Sequence, residues 1–94
     1  MVIVVEHRGE RREVTPGAAR MTVGRGAHND IVIGDLKLSR LQCTLTLGEE
    51  GIFVQDSGST CGTFVDGRSA VGQTRLHVGA KIYFGDTVLT IVSR

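Results

Sequence analysis

Gln42-Cys43-Thr44-Leu45-Thr46-Leu47, reversed by Gly48-Glu49-Glu50-Gly51 and answered by Ile52-Phe53-Val54-Gln55-Asp56, decides the fold. In its first part the odd positions are apolar and the even ones polar. That period of two lines one face of a strand with core residues and leaves the other face wet. The glycine-flanked acidic pair is a turn signal, and the run after it is again strand-favouring. A strand pair with one apolar face needs a second layer over it. The rest of the chain supplies that layer in runs of the same kind, at residues 2–6, 12–15, 20–24, 31–33, 63–65, 81–84 and 87–92, beside 41–47 and 52–56. Turn signals at Gly9-Glu10, Asp66-Gly67 and Gly85-Asp86 separate some of them. Short strands at this spacing predict an all-β sandwich of two antiparallel sheets, about 10–11 strands, with essentially no helix. Residues 87–92 are apolar enough to be covered on both sides, and residues 1–5 are similar. Pairing these two strands would tie both termini into one sheet.

The chain has 94 residues, the size of one domain, and neither a linker nor a repeat divides residues 1–94. Its net charge is +1 with 22% charged residues, which argues against a nucleic-acid binder held by bulk electrostatics. No apolar run approaches the roughly 20 residues of a membrane helix, so no direct membrane contact is expected of this domain. The start lacks a basic region and runs at once into Glu6-His7-Arg8, unlike a signal peptide. The expected location is therefore cytoplasmic. Two cysteines, Cys43 and Cys61, are too few for a disulfide scaffold and read as free thiols in a reducing compartment. A disulfide between them requires the loop of Cys61 to lie over the strand of Cys43, which sequence leaves open. His7, His28 and His77 are isolated from one another and from the cysteines, so no metal or other cofactor is expected. No nucleophile elbow, phosphate-binding P-loop or acid–base pair is present, and an enzyme is not expected.

Three polar loops follow strands in an order that can build one surface: Gly24-Arg25, Ser39-Arg40, and Gly58-Ser59-Thr60-Cys61-Gly62. Together with Asn29-Asp30-Ile31-Val32-Ile33, Asp35, Asp56-Ser57, Gly62-Thr63-Phe64-Val65-Asp66-Gly67 and Gly85-Asp86, they resemble a forkhead-associated (FHA) domain with a degenerate binding loop. The resemblance covers nearly the whole chain and is densest over residues 22–67. It implies a module that binds a phosphothreonine-containing protein or peptide. In that family the arginine of the Gly-Arg pair contacts the phosphate, here Arg25. The serine opening the S-R-x-H motif donates its hydroxyl, here Ser39, and Arg40 adds a second contact. Thr60 matches the threonine of the G-S-T-N-G loop. Gly24 would serve the turn and Gly62 the backbone path of the loop. Lys37 stands where a basic side chain reads the residue three places beyond the phosphothreonine, implying an acidic residue there.

Two positions depart from the pattern. Gln42 replaces the S-R-x-H histidine, an architectural group, and its amide still donates and accepts hydrogen bonds. Cys61 replaces the asparagine whose amide grips the peptide main chain, and a thiol is a feeble substitute. The loss amounts to about 1–2 kcal/mol, or roughly ten-fold in affinity. The resemblance thus leaves two readings. One is a weak phosphothreonine-binding module in signalling. The other is a phosphate-independent FHA-fold scaffold with an unphosphorylated assembly partner. An example is the cytoplasmic part of a type III secretion basal-body protein, itself membrane-associated.

Overall fold

The computed structural model describes all 94 residues. The chain forms eleven strands and no helix: β1 Val2–His7, β2 Glu10–Val14, β3 Arg20–Gly24, β4 Ile31–Val32, β5 Cys43–Gly48, β6 Gly51–Asp56, β7 Phe64–Val65, β8 Arg68–Ser69, β9 Thr74–Leu76, β10 Lys81–Phe84 and β11 Thr87–Ser93. They assemble into a six-stranded sheet, β2-β1-β11-β10-β7-β8, and a five-stranded sheet, β4-β3-β5-β6-β9. The expected all-β sandwich is the fold. The pairing is antiparallel except that β4 runs parallel to β3, Val23 opposite Ile31.

Turn chemistry sets the hairpins. His7 pairs with Glu10 across Arg8-Gly9, and Val65 pairs with Arg68 across Asp66-Gly67. All four turn residues have positive φ, the type I′ geometry whose twist matches that of the strands it joins. Between the sheets the inward residues of both layers form one cluster, including Ile3, Val5, Leu89, Ile91, Ile82 and Phe84 from one sheet and Met21, Val23, Leu45, Ile52 and Val54 from the other. Each fully buried aliphatic or aromatic side chain of this kind contributes about 1.5–3 kcal/mol.

β1 pairs with β11, so the two termini share a sheet as expected. The two strands are covered differently from the expectation. In β11 only Thr87, Leu89 and Ile91 are buried, while Val88 and Thr90 are half-buried and Val92 is exposed. β1 buries Ile3, Val4 and Val5 in succession, with Val4 flanked by Thr90 and Glu13 on the outer face. Apolar composition alone did not distinguish them, because it does not register what neighbouring strands lay across the outer face.

The connections divide between two ends of the sandwich. At one end lie residues 25–30, 33–42 and 57–63, with the turns Arg8-Gly9 and Gly85-Asp86. The Ser39 carbonyl accepts from Arg25 N at 3.1 Å, Ser39 Oγ accepts from Thr60 N at 3.0 Å, and Asp35 Oδ2 accepts from Asp86 N at 2.7 Å. At the other end lie residues 15–19, the Glu49-Glu50 turn, residues 77–80 and both chain termini. Here Ala19 O accepts from Leu47 N, Ile91 O from Gly79 N, and Gly48 O from Arg94 Nη2.

Candidate functional site

β3 ends at Gly24 because the chain crossing it comes too close for any side chain. A Cβ there would collide with the Arg40 carbonyl oxygen and come within 2.9 Å of Asn29 Nδ2. Gly24 was expected to serve a turn; instead it is the last residue of a strand, and close approach rather than positive φ requires the glycine. Arg25 then leaves the sheet. Its Nε donates to Leu38 O at 3.2 Å, which orients the guanidinium, and its two terminal nitrogens have no hydrogen bond or ion pair within the protein.

The second loop is locked beside the first. Arg40 O accepts from Gly26 N at 3.1 Å and from Asn29 Nδ2 at 2.6 Å. The exposed Arg40 guanidinium forms no bond within the protein. Ser39 donates its N–H to Gln42 Oε1 at 3.2 Å and accepts Thr60 N–H at its hydroxyl oxygen. The hydroxyl proton of Ser39 is not donated to any protein group. A half-buried serine with an accepting oxygen already used and a free proton is a preset donor.

Gln42 is fully buried and joins the second loop to the third. Its Nε2 donates to Ser59 Oγ at 2.9 Å, Gly62 O at 2.9 Å and Thr63 Oγ1 at 3.1 Å. These bonds tie Gln42 to both loops at once. Asp56, at the end of β6, holds the third loop from below. Its carboxylate accepts from Gly58 N, Ser59 N, Ser59 Oγ and Thr63 Oγ1. Burial pushes the Asp56 carboxyl up, but the Ser59 and Thr63 hydroxyls and the Ser59 and Gly58 amides outweigh it and leave it below its ordinary value. Gly62 takes a left-handed step, φ +82°, on the backbone path of the loop.

Thr60 is exposed at the crest of the loop. Cys61 is not. Its Sγ lies 3.6 Å from Gln42 Oε1 and 3.6 Å from Gly62 O, and the side chain packs against the core cluster. The thiol therefore faces inward, into the brace. Both cysteines are free; burial first, and then the nearby Asp56 charge, push the Cys43 thiol up to about 12, so it stays protonated. Lys37 lies apart from Arg25 and Ser39 in its bonding. Its Nζ pairs with Asp86 Oδ1 at 2.9 Å, and Arg8 shares the other Asp86 oxygen at 3.5 Å.

Three residues outside the expected set complete the site: Asn29, Asp35 and Asp56. Asn29 Nδ2 staples the first loop to the second through Gly26 O and Arg40 O. Asp35, buried, ties the second loop to the β10–β11 turn through Lys37 N, Asp86 N and Thr87 Oγ1. Asn29 and Asp35 are buried and Asp56 is half-buried at a strand end, and it is this enclosure, with the bonds it enforces, that the sequence does not display.

A two-sheet sandwich that collects guanidinium and hydroxyl groups on loops at one end has the form of an interaction module. The family model for the FHA domain matches residues 21–85, and the chain belongs to the FHA domain family. A curated relative, the ABC transporter ATP-binding/permease protein Rv1747 of Mycobacterium tuberculosis, is 39% identical over 74 residues, 79% of this chain. The chain spans about 8% of that relative's length. Among solved structures, the FHA domain of the CT664 protein from Chlamydia trachomatis superposes with a TM-score of 0.81 at 23% identity, covering 100% of this chain and 99% of that one. Mycobacterium tuberculosis EmbR, solved in complex with a low affinity phosphopeptide, gives 0.84 at 22% identity, covering 99% and 25%.

Proposed function

We propose that this FHA domain captures a phosphothreonine-containing segment of a partner protein on the face carrying Arg25, Ser39, Arg40 and Thr60, and does so weakly. The observation behind this reading is the split role of Ser39: its oxygen is used to hold the third loop, while its proton is left for an incoming acceptor. Beside it, Arg25 is oriented by Leu38 O with its terminal nitrogens free. A phosphate dianion would accept from the Ser39 hydroxyl and from both arginines, each charge-assisted bond being worth about 1.5–3 kcal/mol. The positions were set before the ligand arrives, which reduces the ordering cost of binding. EmbR, similar in fold, was solved with a phosphopeptide, in line with this use of the fold. Capture needs no chemical step, and no enzymatic activity is proposed. The two free thiols fit a reducing cytoplasmic setting.

The weakness is assigned to Cys61, whose inward thiol offers the peptide main chain no amide. That same observation favours the second reading, a phosphate-independent scaffold such as the cytoplasmic part of a type III secretion basal-body protein. Titration of phosphothreonine peptides by fluorescence anisotropy, against unphosphorylated twins, separates the two. Saturable binding that needs the phosphate and falls at least about ten-fold in Arg25→Ala and Ser39→Ala supports capture. Equal behaviour of both peptide forms at millimolar concentration rejects it. With capture established, Cys61→Asn is expected to tighten binding by roughly ten-fold.

A further inference from the structure

Thr15-Pro16 is the one place where a hydroxyl residue precedes proline, since the chain has a single proline. Thr15 is exposed in the connection between β2 and β3, and its hydroxyl makes no hydrogen bond within the protein. None of the loop and turn backbone bonds involves Thr15, Pro16, Gly17 or Ala18. The proline fixes its own φ and holds Thr15 in an extended conformation. The preceding residues, ending at Val14, are already extended as the edge strand β2. A single threonine is thus displayed on an extended, unpaired segment.

Its place in the fold determines what it can meet. Val14 pairs with Ile3, beside the chain termini. β3 then carries the chain from this end to Gly24 and the phosphate-binding face. Its five residues span roughly 17 Å at about 3.3 Å per residue, so Thr15 cannot reach Arg25 of the same molecule. Asp30, which lines the same hollow as Thr15, already accepts from Thr22, whereas Arg25 and Arg40 on the other end are unpaired. A phosphate adds about −1.5 to −2 charges beside Thr15.

We infer that Thr15 is a phosphorylation site and that the phosphorylated Thr15-Pro16 segment is a ligand for the Arg25–Ser39 face of a second copy of this chain. The inference rests on the phosphothreonine reading of that face, but not on the acidic third residue implied by Lys37, since Ala18 stands three places beyond Thr15 and Lys37 is paired with Asp86. A protein kinase transfers the γ-phosphoryl group of ATP to Thr15 Oγ, the hydroxyl proton is released, and ADP leaves. The contact is heterologous, head of one copy to tail of the next, so it propagates into chains or closes into a ring.

The folded protein is incubated with a proline-directed serine/threonine kinase and Mg-ATP, mapped by mass spectrometry, and examined by sedimentation velocity. The expected result is phosphate on Thr15 and species larger than the monomer at micromolar concentration. Phosphatase treatment, Thr15→Val and Arg25→Ala should each restore the monomer. A synthetic peptide of residues 11–20 with phosphothreonine at position 15 should bind the protein at least about ten-fold more weakly in Arg25→Ala. No transfer to Thr15, or a phosphorylated chain that stays monomeric while Arg25-dependent binding to a phosphothreonine peptide library persists, overturns the inference alone. Loss of library binding as well overturns the reading of the face and this inference with it.

Discussion

Gln42 carries more of the proposed recognition face than any residue that would touch a ligand. It is fully buried, and five polar atoms depend on it: three accept from its amide nitrogen, and Ser39 N and Cys61 Sγ approach its oxygen. Gln42→Leu keeps the volume roughly constant but strands buried donors and acceptors, at about 1–3 kcal/mol each for those that water cannot reach. The expected outcome is a total loss of roughly 2–4 kcal/mol in urea unfolding, with faster amide exchange in residues 58–63 than elsewhere. A uniform loss of protection would show that the residue acts only through global stability. The sequence made the bracing role of position 42 legible because an amide retains hydrogen-bonding capacity. The direction of Cys61 was not legible. A loop position does not fix where its side chain points, and the inward turn of the thiol depends on the acceptor offered by Gln42 and on the core beneath.

At the level of elements, β3 and the 39–42 loop are fitted at Gly24. Gly24→Ala forces a Cβ onto the Arg40 carbonyl, a backbone atom that cannot swing aside, and should cost about 1–3 kcal/mol as an overpacked site. It should also displace Arg25, weakening phosphopeptide binding more than stability alone explains. Gly72→Ala is the matched control, since nothing lies within 4 Å of its Cβ position; a change within about 0.5 kcal/mol in thermal unfolding is expected. The longer strands were readable from their period of two. β8 and β9 were not, for Arg68–Ser69 and Thr74–Leu76 are too short to display a period. β8 exists because the Asp66-Gly67 turn returns it onto β7, and β9 because β6 offers it an edge. The parallel β3–β4 pair was equally hidden: two residues of β4 follow a tight loop in which Asn29 N donates to Gly26 O.

For the whole molecule, carboxylates held by several hydrogen bonds link stability to pH. Burial pushes the Asp35 carboxyl up, yet the Lys37 amide, the Thr87 hydroxyl, the Asp86 amide and nearby His7 outweigh it, and its pKa lies below 3.8. Asp56 is lowered in the same way. Each group binds its proton less readily folded than unfolded. Their stabilisation is therefore complete above the ordinary aspartate value and is lost as pH falls through the depressed folded values below 3.8. Urea midpoints measured from pH 7 to about pH 2.5 should be level at first and then fall. Asp35→Asn should lower the plateau by about 1–3 kcal/mol and make the acid limb shallower. An unchanged acid limb would remove Asp35 from this account.

Val2 opposite Ser93 brings the first and last strands side by side, at the end of the sandwich remote from Arg25 and Ser39. The topology is therefore nearly a closed circle, and the covalent break in it is almost arbitrary. Bridging Arg94 to Met1 with a short glycine linker and reopening the chain between Glu49 and Glu50, both exposed, leaves every strand pair available. Such a circular permutant should fold and retain the ligand affinity of the parent in the same anisotropy titration. In engineering terms, the module can be spliced into a host at its base with the Arg25–Ser39 face projecting away from the junction.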